Sequence, residues 1–163
     1  MEKAKFPITL KDKEMRELVR MTEQKTLAVW AIDCAKRVMP YFEETYPQDH
    51  RPRFALETLK TWIHTGVYKM AVVRKASLDS HAAAREVGED NAARSVARAC
   101  GQAVATAHVP MHAIGAALYA QQAIYRAGNL SDADAAVAKE RKWQYQHLLD
   151  LRNNRREKEQ THY

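Results

Sequence analysis

The fold of this 163-residue chain is decided by residues 92–128, which read AARSVARACGQAVATAHVPMHAIGAALYAQQAIYRAG. Around this stretch, alanine fills 20 of the 57 positions from 82 to 138. Alanine has the highest helix propensity, and its small side chain lets two helix axes approach closely. The β-branched residues are scattered among helix formers instead of alternating, so strand signals are almost absent. The stretch therefore predicts an all-α protein.

Outward from this stretch, helical periodicity continues in both directions, and glycine, proline and capping residues mark the helix ends. The predicted helices are about Lys11–Thr22, Lys25–Tyr46, 51–65, Val67–Val87, 91–108, 111–127 and from Ser131 or Asp132 to Asn153. Pro40 lies inside the second of them and should kink or split it. We expect a single domain over 1–163 with six to seven helices and a core from about 25 to 151. The first helix and the basic, fraying tail from Arg152 should be peripheral.

The helix-start signals recur at a constant spacing. Asp49, Asp90 and Ser131 are each 41 residues apart, within the roughly 40–47 residues of a HEAT-type helical hairpin. Three stacked antiparallel hairpins, 25–65, 67–108 and 111–153, would produce this spacing. A compact helical bundle accounts for the sequence almost equally well, so both architectures stay open.

The positive charge is concentrated in a few segments. The net charge is +6 and the pI about 9.4, and residues 51–75 alone carry six basic side chains against one acidic one. Phosphate contacts need such residues on one face, yet these span a helix, a turn and the start of the next helix. No nucleic-acid motif or aromatic stacking platform accompanies them. We interpret 51–75 as a solvated basic face that could dock an acidic protein patch, and we do not predict a nucleic-acid partner.

The sequence lacks the features that are typical of several classes of protein. No apolar run reaches the roughly 18–20 residues that span a bilayer, and the N-terminus lacks a signal core. Cys34 and Cys100 lie in apolar helical patterns, which predicts that both are buried free thiols. The chain has no P-loop, no G-x-G-x-x-G and no G-x-S-x-G motif. We therefore expect a cytoplasmic protein with no membrane contact, no predicted cofactor and no indicated enzyme activity.

Three histidines could bind a metal ion. His108 and His112 are four residues apart and would share a helix face, and His81 on a neighbouring helix could be a third ligand. Pro110 weakens this geometry, and Arg85 beside His81 would repel a cation. Three interpretations stay open: structural histidines at tight crossings, a metal site, or a pocket for an anion or small ligand.

Two further groups of polar residues are candidates for a ligand site. Asp33 has Arg37 four residues on, which predicts an intrahelical ion pair. Arg51 and Arg53 begin a helix, where cations oppose the macrodipole. They should therefore have a partner, either Asp33 or Asp49 within the chain or an external anion.

The last predicted helix also carries polar residues on its apolar stripe. Glu140 and Gln144 share that stripe with Leu148, and Trp143 lies beside them. Polar side chains on a buried stripe need hydrogen-bond partners there. The pattern predicts a buried structural network.

Five segments together resemble a known family. They are 28–35 (AVWAIDCA), 49–57 (DHRPRFALE), 81–85 (HAAAR), 105–120 (ATAHVPMHAIGAALYA) and 140–144 (ERKWQ). They are similar to bacterial immunity proteins with an immunity-five-like helical domain, over about 25–151. The resemblance implies a small cytoplasmic all-helical domain that binds a toxin partner, and it brings no catalytic residues with it.

Two hypotheses about function follow. The first is a protein-interaction module that binds a toxin. The alternative is a small-ligand- or metal-binding protein, conceivably an enzyme, that uses His81, His108 and His112. The polar positions that could form one internal pocket are these histidines together with Asp33, Arg51, Arg53, Arg85, Glu140 and Gln144.

Overall fold

The computed structural model describes residues 3–160 and contains eight α-helices and no strand within them, which confirms the all-α class. The helices are α1 (Lys13–Arg20), α2 (Gln24–Lys36), α3 (Pro40–Glu43), α4 (Arg51–Thr65), α5 (Met70–Glu86), α6 (Ala92–Ala105), α7 (His112–Ala127) and α8 (Ala133–Gln160). None of the helices in this part of the chain combines the length and the apolar character needed to cross a bilayer.

The predicted count of six to seven helices is too small by one because Pro40 splits the second predicted helix. Helix α2 ends at Lys36, and the short helix α3 begins at Pro40 itself. A proline has no N–H to donate and its ring crowds the preceding turn, but both properties are tolerated in the first turn of a new helix.

Helix α6 is the centre of the molecule and packs against α2, α3, α4, α5 and α7. Its side chains at Ala93, Ala97, Ala99 and Ala103 are buried. The approach to α5 is so close that a Cβ on Gly101 would lie 2.7 Å from Nε2 of His81. The alanine-rich stretch thus forms the tight helix crossings that its composition indicated.

The helices form a closed bundle. In a linear array of hairpins, the first hairpin would contact only the second. Helix α2, from the first predicted hairpin, packs against α4 and α6 and also against α7 and α8 of the third. The 41-residue spacing of helix starts therefore does not mark a HEAT-like array.

Helix α1 and the C-terminal part of α8 both contact the rest of the bundle. Asp12 caps α1 by accepting a hydrogen bond from the Met15 backbone N–H at 3.2 Å, and Leu18 and Val19 reach the core. Helix α8 continues to Gln160, so the predicted end at Asn153 is wrong. Arg155 supports this extension by pairing with Glu159 one turn ahead and with Glu23 before α2. Residues 161–163 of the predicted tail lie outside the described residues.

Candidate functional site

The predicted site residues lie in three separate clusters and do not form one internal pocket. The first cluster joins α2 to α8 and contains Asp33, Glu140 and Gln144. The second is at the start of α4 and contains Arg51 and Arg53. The third, on α5, in the connection between α6 and α7 and at the start of α7, contains His81, Arg85, His108 and His112.

The arginines at the start of α4 have partners within the chain. Arg51 donates from Nε and Nη2 to the Asp49 carboxylate, at 2.9 and 2.7 Å, and also pairs with Glu86 on α5. Arg53 makes the same bidentate contact with Glu43, donating from Nε to Oε2 at 2.7 Å and from Nη2 to Oε1 at 2.5 Å. These contacts hold the pKa values of Asp49 and Glu43 below their ordinary values. The arginines thus tie the ends of helices together.

The pairing predicted for Asp33 and Arg37 is wrong, because both side chains reach across to α8 instead. His147 donates from Nε2 to Asp33 at 2.7 Å. Arg37 donates from Nε to the buried Glu140 carboxylate at 2.5 Å, and its guanidinium lies 3.8 Å from the centre of the Trp143 ring. A buried carboxylate without a cation would strongly destabilise the fold, whereas an exposed carboxylate is solvated by water. The pairing of Arg37 with buried Glu140 is therefore favoured over its pairing with Asp33.

Gln144 is fully buried and makes hydrogen bonds with three neighbours. Its Nε2 donates to the Ala117 carbonyl at 3.0 Å, and its Oε1 accepts from Nε2 of Gln121 at 2.8 Å. Its backbone carbonyl accepts from the Trp30 indole N–H at 2.9 Å. This is the buried network that the apolar stripe predicted. Sequence reasoning missed Gln121, although that residue lies on an otherwise alanine-rich face of α7.

His81 is the most electrostatically perturbed residue of the third cluster. Nη1 of Arg98 donates to its Nδ1 at 2.9 Å, so the neutral ring carries its proton on Nε2. Burial, followed by the charges of Arg98, Arg85 and His112, lowers the pKa of His81 to about 4. His81 is therefore neutral at physiological pH and acts as a hydrogen-bond acceptor for Arg98.

The other two histidines also have partners of their own. The Tyr68 hydroxyl lies 2.7 Å from Nδ1 of His108, and the two rings are stacked. Nδ1 of His112 donates to Oε1 of Gln102 at 2.8 Å. Within residues 3–160 no group of three or more His, Cys, Asp or Glu side chains is placed to hold a metal ion.

A different surface is unusual for its apolar character. We define the α4–α5 face by its exposed apolar side chains, which are Phe54, Val67, Tyr68, Met70, Val72 and Leu78. These side chains are 40–59% exposed, and every residue from 64 to 72 is exposed. The face contains a groove of about 500 Å³ between α4 and α5 and a smaller one of about 290 Å³ beside His108.

Cations lie along the chain segment that forms this face, and two of them, Lys69 and Arg74, line its grooves. Lys60, Lys69 and Arg74 are exposed and make no ion pair with any other residue from 3 to 160. The distribution of charge along the sequence indicated the basic stretch at 51–75. It did not predict that the apolar side chains of the α4–α5 face are exposed. The apolar run at 70–73, at the start of α5, has the same sequence pattern whether its side chains face a core or solvent.

Comparison with protein families identifies the family of this chain. No curated protein and no solved structure matches this chain. A sequence model of one family matches residues 17–151, from within α1 to within α8. On this match, and with an all-helical fold over the matched residues, the chain belongs to the Imm-5 like putative immunity protein family.

Proposed function

We propose that this protein is an interaction module that protects its host by binding a toxin, and that the α4–α5 face is the binding surface. Membership of an immunity-protein family supports the class of function. The observation that carries the choice of surface is the group of six exposed large apolar side chains between 54 and 78. Phe54, Val67 and Val72 line one groove, and Tyr68, Met70 and Leu78 line the other. Clusters of exposed apolar side chains are typical of interaction sites.

The chemistry of this face indicates the chemistry of its partner. Protein interfaces combine an apolar centre with a polar rim. Here Val67, Met70 and Val72 would form the centre, and Lys60, Lys69 and Arg74 lie on the same stretch of chain as a basic rim. We therefore expect a toxin surface with an apolar patch bordered by aspartate and glutamate. The opposite charges would mainly accelerate association, while burial of the apolar side chains would supply most of the affinity.

Co-purification followed by a growth assay tests the proposal. The tagged protein, expressed in its native host, should recover a stoichiometric protein partner. That partner should arrest growth when it is expressed alone, and co-expression of this chain should restore growth. Recovery of no stoichiometric partner, or of one whose expression leaves growth unchanged, would contradict the proposed function.

Two leucine variants test the choice of surface. Leu78 on the α4–α5 face and Leu130 in the loop before α8 are 54% and 53% exposed. Leu78→Asp should abolish recovery of the partner, because it places a negative charge on the α4–α5 face, where it would repel the aspartate and glutamate side chains expected on the toxin. Leu130→Asp adds the same charge away from the face and should leave recovery unchanged. Equal loss from both variants, or from neither, would assign binding to another surface.

The second candidate function is binding of a small ligand by His81, His108 and His112, or of a metal ion after these side chains leave their present partners. The observation in its favour is that the three rings are electrostatic neighbours, since His112 lowers the pKa of His81 and His108 lowers that of His112. Elemental analysis of the purified protein, with thermal unfolding in added zinc or nickel, is the test. A protein without metal whose melting temperature does not change would remove the metal version of this proposal.

A further inference from the structure

We propose that the cavity between the N-terminal segment and helices α7 and α8 binds a small neutral organic molecule. The molecule would have an apolar body and one hydrogen-bond donor, which donates to Oε1 of Gln121. The cavity has a volume of about 690 Å³, within the range of roughly 300–1,000 Å³ that is usual for small-molecule sites. It lies apart from the α4–α5 face and does not depend on the proposed toxin binding.

The N-terminal segment covers this cavity and is held in place by its own contacts. Nζ of Lys3 donates to the Tyr125 carbonyl at 2.6 Å, and the Tyr125 hydroxyl donates to the Ala4 carbonyl at 2.7 Å. The rings of Phe6 and Tyr125 pack with their centres 5.5 Å apart. The segment before α1 therefore forms a defined wall that lies against α7.

One buried polar atom at this cavity has no partner. Oε1 of Gln121 is a buried side-chain oxygen without a hydrogen bond, and Gln121 lines the cavity. Because Oε1 itself has almost no accessible surface, a bound molecule would reach it by displacing the side chains that cover it from the cavity. Its orientation follows from its neighbours. Gln144 must turn its Nε2 towards the Ala117 carbonyl, which can only accept, so its Oε1 faces Gln121 and needs a donor. Gln121 must then present its Nε2 to Gln144, which leaves its Oε1 as an acceptor without a donor.

The walls define the class of ligand. They are largely apolar, with Phe6, Leu10, Leu118 and Val137 among them. Lysine, arginine and aspartate side chains of both signs also line the cavity, at Lys5, Lys11, Asp12, Asp134 and Arg141, so their charges do not favour an anion or a cation strongly. The unsatisfied acceptor adds a specific requirement for an N–H or O–H group. A neutral amphipathic molecule with one donor meets both conditions.

A matched pair of probes tests the hydrogen bond. Indole and benzofuran have nearly the same shape, but only indole has an N–H. In NMR titrations of the full chain at millimolar concentrations, indole should shift the side-chain signals of Gln121, Leu118 and Val137. It should bind about five-fold more tightly than benzofuran, the ratio expected for one net hydrogen bond. Equal affinities, or no shift at these three residues, would overturn the proposal.

A matched pair of variants tests the location. Ala138 and Ala135 are both exposed on α8, but only Ala138 lines the cavity. Ala138→Trp should fill the cavity and weaken indole binding at least ten-fold, whereas Ala135→Trp should leave it unchanged. Because both positions are exposed, we expect both variants to fold, which their amide spectra would verify. Unchanged binding to Ala138→Trp would overturn the proposal.

A crystal structure with soaked indole decides between the ligand and solvent. We expect the indole nitrogen within hydrogen-bond distance of Oε1 of Gln121. An ordered water on Oε1 that persists at saturating indole would show that solvent satisfies this atom, and it would overturn the proposal.

Discussion

The α8 edge of the bundle, by which we mean Glu140 and Gln144 with their partners on neighbouring helices, differs from the α4–α5 face in the kind of side chain it buries. At the α8 edge, Glu140 and Gln144 are buried and hydrogen-bonded to α2 and α7. At the α4–α5 face, Val67, Met70 and Val72 are exposed. Burying a polar group destabilises the fold unless its hydrogen bonds are made. Exposed apolar side chains contribute little to folding and remain available for contact with a partner.

This difference separates residues needed for folding from those available for function. Changes at the α8 edge should alter the free energy of unfolding. Changes at the α4–α5 face should alter partner binding and leave stability nearly unchanged. The crossing of α5 and α6, at His81 and Gly101, should respond to both packing and pH.

The largest effect is expected for Gln144→Leu. The substitution removes the donor to Ala117 and the acceptor for Gln121, and it leaves buried polar groups without partners. It should lower the free energy of unfolding by about 2–4 kcal/mol in urea denaturation. Gln146→Leu, at an exposed position two residues along the same helix, should change it by less than about 0.5 kcal/mol. Similar losses from the two variants would contradict a structural role for the buried network.

The next largest effect is expected for Gly101→Ala. Alanine favours a helix over glycine, but its Cβ would lie 2.7–2.9 Å from three atoms of the His81 ring. The ring must move and lose its bond to Arg98, so we expect a net destabilisation of about 1–3 kcal/mol. In a double-mutant cycle, combining Gly101→Ala with His81→Ala should recover most of this loss. A fully additive double mutant would show that the two residues do not interact.

A smaller effect is expected from the titration of His81. The unfolded imidazole binds a proton near its ordinary pKa of 6.5, whereas the folded one binds it only near a pKa of about 4. Between these values the unfolded state holds more protons, so stability should fall as the pH is lowered from 6.5 to 4. After solvent screening the loss should be about 1–2 kcal/mol.

His81→Asn isolates this contribution, because it keeps an acceptor for Arg98 and removes the titration. In denaturation curves at several pH values between 4 and 7, the stability of the unchanged protein relative to the variant should therefore fall by about 1–2 kcal/mol as the pH falls. The Asp49 and Glu43 carboxylates lose their own stabilising contribution at lower pH in both proteins, since Arg51 and Arg53 lower their pKa values. A constant difference between the two proteins would rule out the shifted pKa.

The smallest effect on stability is expected for Leu78→Asp. Its side chain is already 54% exposed, so the free energy of unfolding should stay within about 0.5 kcal/mol of the unchanged protein. Partner recovery should nevertheless be lost, as proposed above. A large loss of stability in thermal unfolding would mean that the α4–α5 face supports the fold, and the contrast with the α8 edge would disappear.

Sequence reasoning predicted local features well and long-range partners poorly. The stops at Gly66 and Gly128 and the division at Pro40 depend on backbone chemistry of the residues themselves, and the structure has helix ends at all three. The intrahelical pairing of Asp33 with Arg37 was wrong because both side chains found partners on α8, more than 100 residues away. Periodicity reports which residues share a face but not which face of another helix meets it.

The sequence by itself determined the helical class, the alanine-rich centre and the family, because helix propensity, proline and glycine act locally. Only the tertiary structure decided that the helices close into a bundle, that Oε1 of Gln121 is left without a donor and that the apolar residues at 67–72 face solvent. Each of these depends on which side chains are buried by segments distant in sequence, and that burial is set only when the whole chain packs. The candidate sites of this protein are therefore the places where packing left an apolar surface or a polar atom unmatched.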